Sequence, residues 1–91
     1  MEFEWDDEKR ARTLRERGLD FETAAPIFAE TFFEFVDERR DYGEERLVAI
    51  GAVGEEVLVV VSTMRGGVRR IISARRANRK ERELWRLFAR P

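Results

Sequence analysis

The stretch that most constrains this chain is "EEVLVVVSTM", residues 55–64, whose apolar run is almost entirely β-branched. Such side chains lose rotamer freedom in a helix and fit a pleated sheet, so the segment reads as a strand. "ERLVAIGAV" (45–53) precedes it as a central-strand candidate, "VRRIISAR" (68–75) follows it, and the aromatic "TFFEFVD" (31–37) adds a fourth strand. The intervening links, "DERRDYGE", "GEE" and "RGG", are short and carry glycine, which predicts an antiparallel meander. Strict alternation along "VRRIISAR" places Arg69 and Arg75 on one side, and Arg70, Ile72 and Ala74 on the other.

Helices flank this sheet. "EFEW" (2–5) is a short strand, and "DDEKRARTLRERG" (6–18) is a helix capped by Asp6 or Asp7 and stopped by Gly18. Ala11 and Leu14 mark its narrow inner face. "DFETAAPIFAE" (20–30) opens a second helix at Asp20, with Leu19 as a staple residue, and Pro26 keeps it short. "NRKERELWRLFAR" (78–90) is capped by Asn78 with Glu81 at the third position, and carries an apolar stripe of Leu84, Trp85, Leu87 and Phe88. The expected fold is α+β: two N-terminal helices, an antiparallel meander and a C-terminal helix, in one domain over residues 1–91. Phe32, Phe33 and Phe35 cannot all point inward from one strand, so an exposed phenylalanine marks a partner or self-association surface.

Composition narrows the chemistry. The chain has neither cysteine nor histidine. That removes disulfides, thiolate metal sites, the commonest general base and the commonest metal ligand. The acidic start "MEFEWDDEKR" is no signal peptide, and "VLVVV" is too short to span a bilayer, so a cytoplasmic protein without membrane contact is expected. Charge is sharply divided. Residues 1–64 hold eight bases against seventeen acids, a net of −9, whereas residues 65–91 hold ten against two, a net of +8. All the bases except Lys9 and Lys80 are arginine, the residue best shaped to grip phosphate in two-point contacts. A polyanion is therefore the candidate partner of the basic part.

Three blocks carry a family resemblance: "FEWDDEKRARTLRERGLDFETAAPIF", "GEERLVAIG" and "RRIISARRANRKERE". In this order and spacing they resemble the BrnT toxins of bacterial type II toxin–antitoxin systems, and "RIISARRA" running into a charged helix is the most specific part. The resemblance implies a RelE-like ribonuclease fold and an endoribonuclease that stops translation. It also implies a BrnA-type antitoxin with a DNA-binding domain, through which alone the toxin meets operator DNA and represses its own promoter. The chain departs from the family pattern at Thr13, where Asn is usual, and at Glu16-Arg17, where Lys-His is usual. In "VSTMR" (61–65) Thr63 and Arg65 match, and the family's histidine is absent.

RNA cleavage through the 2′-OH requires a base, positive charge on the developing phosphorane and an acid for the leaving oxygen. It needs no metal or other cofactor, and none is expected. Arg65, at the strand end before Gly66-Gly67, and Arg75, closing the most specific block, are the first candidates for the charge. Arg46 is a third, with an ion pair to neighbouring acids as its alternative. Glu81 is a candidate base, although its position suits a helix cap. Arg69, Arg70, Arg76, Arg79 and Lys80 read as RNA-backbone or antitoxin contacts. A catalytically silent relative, using its basic face only as a scaffold for a protein or DNA complex, is the alternative reading.

Overall fold

The valine run becomes β4 (Glu56–Arg65), the longest strand of a five-stranded sheet in the computed structural model, which describes residues 1–39 and 41–89. The other strands are β1 (Glu2–Trp5), β2 (Phe32–Val36), β3 (Leu47–Val53) and β5 (Val68–Arg76), in the order β1-β5-β4-β3-β2. From β2 to β5 neighbouring strands are antiparallel, the meander that the short links predict. The β4–β5 connection explains the paired glycines. Gly66 (φ 57°) and Gly67 (φ 83°) are both left-handed, as a two-residue hairpin matched to strand twist demands.

The sheet as a whole is mixed rather than antiparallel. β1 runs parallel to β5, with Glu2 opposite Val68 and Trp5 opposite Ile71. No short loop ties these strands, so their direction is set by burial: this pairing turns Phe3 and Trp5 onto the main core.

The two N-terminal helices lie between β1 and β2 rather than ahead of the strands: α1 (Asp7–Arg17) and α2 (Phe21–Ala24). Asp6 caps α1 by accepting from the Glu8 and Lys9 amides, and Gly18 ends it. α2 is a single turn that tightens into a 310 turn, Ala25–Ala29, where Pro26 occupies the first positions and its missing N–H costs nothing. α3 (Arg79–Phe88) begins with the expected reciprocal cap between Asn78 and Glu81. Arg90, at the end of the predicted helix, lies outside the described residues.

The sheet is covered on both faces. On one, α2 and the 310 turn bury Phe21 and Ile27 against Leu58, Val60 and Ile71. Here Gly51 permits close approach: a Cβ in its place would lie 3.0 Å from the Ile27 Cβ and 3.2 Å from the Phe32 Cβ. On the other face Trp85 of α3 packs over Ile50, Val59 and Ala77.

α1 is held differently from expectation. Ala11 and Leu14 are exposed and no α1 residue is buried. Polar contacts fix it instead. Arg10 grips Asp20 through Nε (2.7 Å) and Nη2 (3.1 Å), Arg17 Nη1 donates to the Ala74 carbonyl (2.9 Å), and Arg76 Nη1 donates to the Arg17 carbonyl (2.6 Å). Arg17 thus satisfies the outer edge of β5 beyond the point where β1 stops.

A β-bulge overturns the predicted alternation in β5. Val61 faces Ser73, yet Ser62 faces Ile71, so Ile72 is an extra residue. The facing pattern reverses there, and Arg69 and Arg75 emerge on opposite faces.

Candidate functional site

The face shared with α3 carries a polar groove of about 350 Å3 beside the bulge. Val61, Ile72 and Ser73 form its floor. One wall is α1, from which Lys9, Arg12, Thr13 and Glu16 project at helical i, i+3, i+4, i+7 spacing. The other is the loop between β2 and β3, which contributes Asp37, Arg39, Tyr42 and Arg46. A smaller depression shares Lys9, Arg46 and Ile72 and extends the groove to Arg65, Arg70 and Glu44.

The loop wall is built from within. The Asp37 amide donates to the Arg46 carbonyl (2.8 Å), and the Thr63 hydroxyl donates to the Glu45 carbonyl (2.8 Å), anchoring the segment to the sheet. The buried Asp37 carboxylate accepts from Arg39 Nε (2.9 Å), Arg39 Nη2 (2.9 Å), the Arg39 amide and the Tyr42 hydroxyl (3.1 Å). Arg39 above all holds Asp37 far below the usual carboxylate range and is itself pushed up in return. The Arg46 guanidinium lies 4.1 Å over the Tyr42 ring, which orients it without neutralising it.

Four arginines of the basic C-terminal segment are paired with acids from the N-terminal part. Arg65 meets Glu44 (3.2 Å), Arg69 meets Glu34 (2.5 Å), Arg70 meets Glu4 (2.8 Å) and Arg76 meets Glu56 (3.2 Å). The charge division along the chain is thus closed in part across the sheet. Among the described residues, Lys9, Arg12 and Arg46 stand in the groove without an ion pair.

The predicted site residues separate accordingly. Arg46, Arg65 and Arg70 line the groove. Arg75 lies on the same face but is held by Glu81 through two short bonds, Nη1 to Oε1 (2.7 Å) and Nη2 to Oε2 (2.6 Å). Glu81 also accepts from the Asn78 amide, so it joins the start of α3 to β5 rather than standing free as a base. Arg79 and Lys80 are exposed on α3, away from the groove lining, and Arg79 makes only a loose contact with Glu83 (3.6 Å). Arg76 lines a separate hollow under Leu14 and Leu58. Arg69 is the clearest departure from an RNA-contacting role. It is 5% exposed, bonded to Glu34 and Ser62, and stacked 4.0 Å from Phe28 on the opposite face.

Lys9, Arg12, Arg39 and Tyr42 enter the groove unpredicted. The i, i+3, i+4, i+7 polar stripe on α1 was the available signal for the first two. Nothing local distinguishes Arg39 and Tyr42, because the loop only meets α1 through the fold.

The Arg75 side chain, then burial-opposed backbone bonding from Asn78, holds the Glu81 carboxyl below its usual range. Both Glu81 and Asp37 therefore bind protons less readily folded than unfolded. Their contribution to stability is full above the unfolded values of about 4 and is lost as pH falls through the folded ones. Urea midpoints should be flat from neutral pH to about 5 and fall below about 4. Glu81→Gln should make that decline shallower; an unchanged acid profile would contradict the pairing.

The fold and site define an α+β protein with an arginine- and lysine-lined groove, whose cations have the chemistry to meet phosphate oxygens. Comparison with protein families gives the particular case. The family described as the ribonuclease toxin BrnT of type II toxin–antitoxin systems matches residues 5–81, and the chain belongs to it. No curated protein matches the chain.

Proposed function

We propose that the chain is an endoribonuclease toxin with a RelE-like mode of action, cutting RNA in the groove between α1 and the β2–β3 loop. Cleavage inhibits translation and growth, a BrnA-type DNA-binding antitoxin neutralises the toxin, and the two together repress their promoter. The observation that carries the reading is the convergence over the Ser73 floor of Lys9, Arg12 and Arg46, which have no ion pair among the described residues, in a chain of a ribonuclease-toxin family.

In this mechanism the 2′-oxygen attacks the adjacent phosphorus and the bond to the 5′-oxygen breaks. The products are a 2′,3′-cyclic phosphate and a 5′-hydroxyl, with no net electron transfer. Arg46, Arg12 and Lys9 stabilise the charge on the phosphorane, worth about 10²–10³ in rate per well-placed donor. Of the carboxylates in the larger groove, Asp37 is committed to Arg39 and Tyr42, whereas Glu16 has no ion pair among the described residues. Glu16 is the base on this reading, and Lys9 supplies the proton to the leaving oxygen.

The test uses the purified chain and labelled RNA in the presence of a metal chelator. Cleavage should leave cyclic-phosphate ends and disappear when a 2′-deoxynucleotide replaces the nucleotide at the cut. Intact RNA beside folded protein would replace this reading with the scaffold one.

A further inference from the structure

Phe35, Phe33, Phe88 and Trp85 form one continuous aromatic row. Ring centroids are 6.4 Å apart for Phe33–Phe35, 4.9 Å for Phe33–Phe88 and 5.8 Å for Trp85–Phe88. Only Phe33 and Trp85 reach the core. Phe35 and Phe88 remain 49% and 47% exposed, and Leu87 beside them is 65% exposed. Lys80, Leu84 and Leu87 follow i, i+4, i+7 spacing and so share one stripe of α3. β2 is the last strand of the sheet, so no strand among the described residues pairs with its outer edge beside Phe35. An apolar strip built from two elements and running along that sheet edge is more than scattered surface hydrophobics.

The rim of the strip is positive. α3 carries Arg79, Lys80, Arg82 and Arg86 against Glu81 and Glu83, and both acids are already turned to Arg75 and Arg79. Lys80 and Arg86 have no ion pair among the described residues. This combination selects the occupant. Leucine and phenylalanine at helical spacing offer anchors to an apolar helix face, and the rim requires acids flanking those anchors. A second copy of the chain would lay the same cationic helix against itself, because a two-fold contact is made by like surfaces.

We infer that the face formed by α3 and the β2 edge docks an acidic amphipathic segment of a protein partner. The inference rests on the toxin reading only for the partner's identity, the antitoxin; the surface and its chemistry stand on the contacts above. It also places the partner beside the catalytic groove. Asp37 and Arg39 follow β2 directly, and Arg75 grips the first turn of α3.

The test uses the full chain and a synthetic helical peptide with leucine at i, i+3, i+4 and i+7 and glutamate elsewhere, followed by fluorescence anisotropy. Binding should weaken at least tenfold in Leu87→Asp and in Phe35→Asp, and should be unchanged in Arg46→Ala. The same peptide with lysine for glutamate should not bind, and Leu87→Asp should cleave RNA as the parent does. Equal binding of both peptides, or no loss in either Asp variant, overturns the inference. So does a uridine oligonucleotide whose binding is lost in Leu87→Asp, which would make the face an RNA surface. Sedimentation as a dimer that Leu87→Asp dissociates would make it a self-association surface. Peptide binding lost in Leu87→Asp, with no cleavage by either protein, removes the ribonuclease reading and leaves the docking surface standing.

Discussion

Arg46→Ala is expected to slow RNA cleavage by about 100-fold or more, the usual consequence of deleting one preorganised donor from a developing oxyanion. The fold should hardly register the change. The Arg46 head rests on an aromatic ring rather than in an ion pair, a contact worth about 0.5–1 kcal/mol at a partly open site. Its backbone, which accepts from the Asp37 amide, is untouched. Cleavage of labelled RNA beside a thermal melt separates the two effects. Arg65→Ala provides the comparison, since the Arg65–Glu44 pair lets Glu44 compete with phosphate for the same guanidinium. Its loss should therefore be smaller. An Arg46→Ala protein that cleaves at the parental rate would move the phosphate site out of this groove.

Arg69→Ala should have the largest effect on stability, about 3 kcal/mol, since removing one member of a buried pair strands the other. Glu34 would lose its cation, Ser62 its donor, and Phe28 the guanidinium against its ring. For a chain this small, where total stability is on the order of 5–10 kcal/mol, that is a large fraction. Replacing both members, Arg69→Met with Glu34→Met, should recover much of the loss, because the pair's desolvation penalty disappears with it. Urea titration of the two singles and the double reads this coupling directly. Cleavage by the folded fraction should survive, because Arg69 sits on the face opposite the groove. A stable but inactive Arg69→Ala protein would refute that placement.

These variants also mark where the sequence could be read and where it could not. Short-range rules held. The Val-rich strand, the Gly66-Gly67 hairpin, the Asp6 and Asn78 caps, the Gly18 stop and the shortening at Pro26 are all decided within a few residues. Long-range pairings escaped. β1 finds β5 across more than sixty intervening positions, and no local pattern encodes that it does so in parallel. α1 was misread because amphipathicity is looked for in apolar side chains, whereas Arg10 and Arg17 dock this helix. Of the residues that line the groove, Arg46, Arg65 and Arg70 were named as candidates from the sequence, and Lys9, Arg12, Arg39 and Tyr42 were not. Family membership adds the expectation of ribonuclease chemistry, but it does not distinguish an arginine committed to Glu34 from one stacked on Tyr42. Partner geometry makes that distinction.

The bulge at Ile72 makes parity the hidden variable of β5. Six positions separate Arg69 from Arg75, an even interval that a regular strand would spend on one side. One uncounted residue turns the interval odd. The same short arginine-rich tract can then act as mortar beneath the sheet and as a working edge above it. Drawing Ile72 into the ladder, opposite its own residue of β4, would leave composition and net charge intact yet exchange the facing of Arg75 and Arg76. For strands of this kind, a residue's neighbours in space depend on the count before it as much as on its identity.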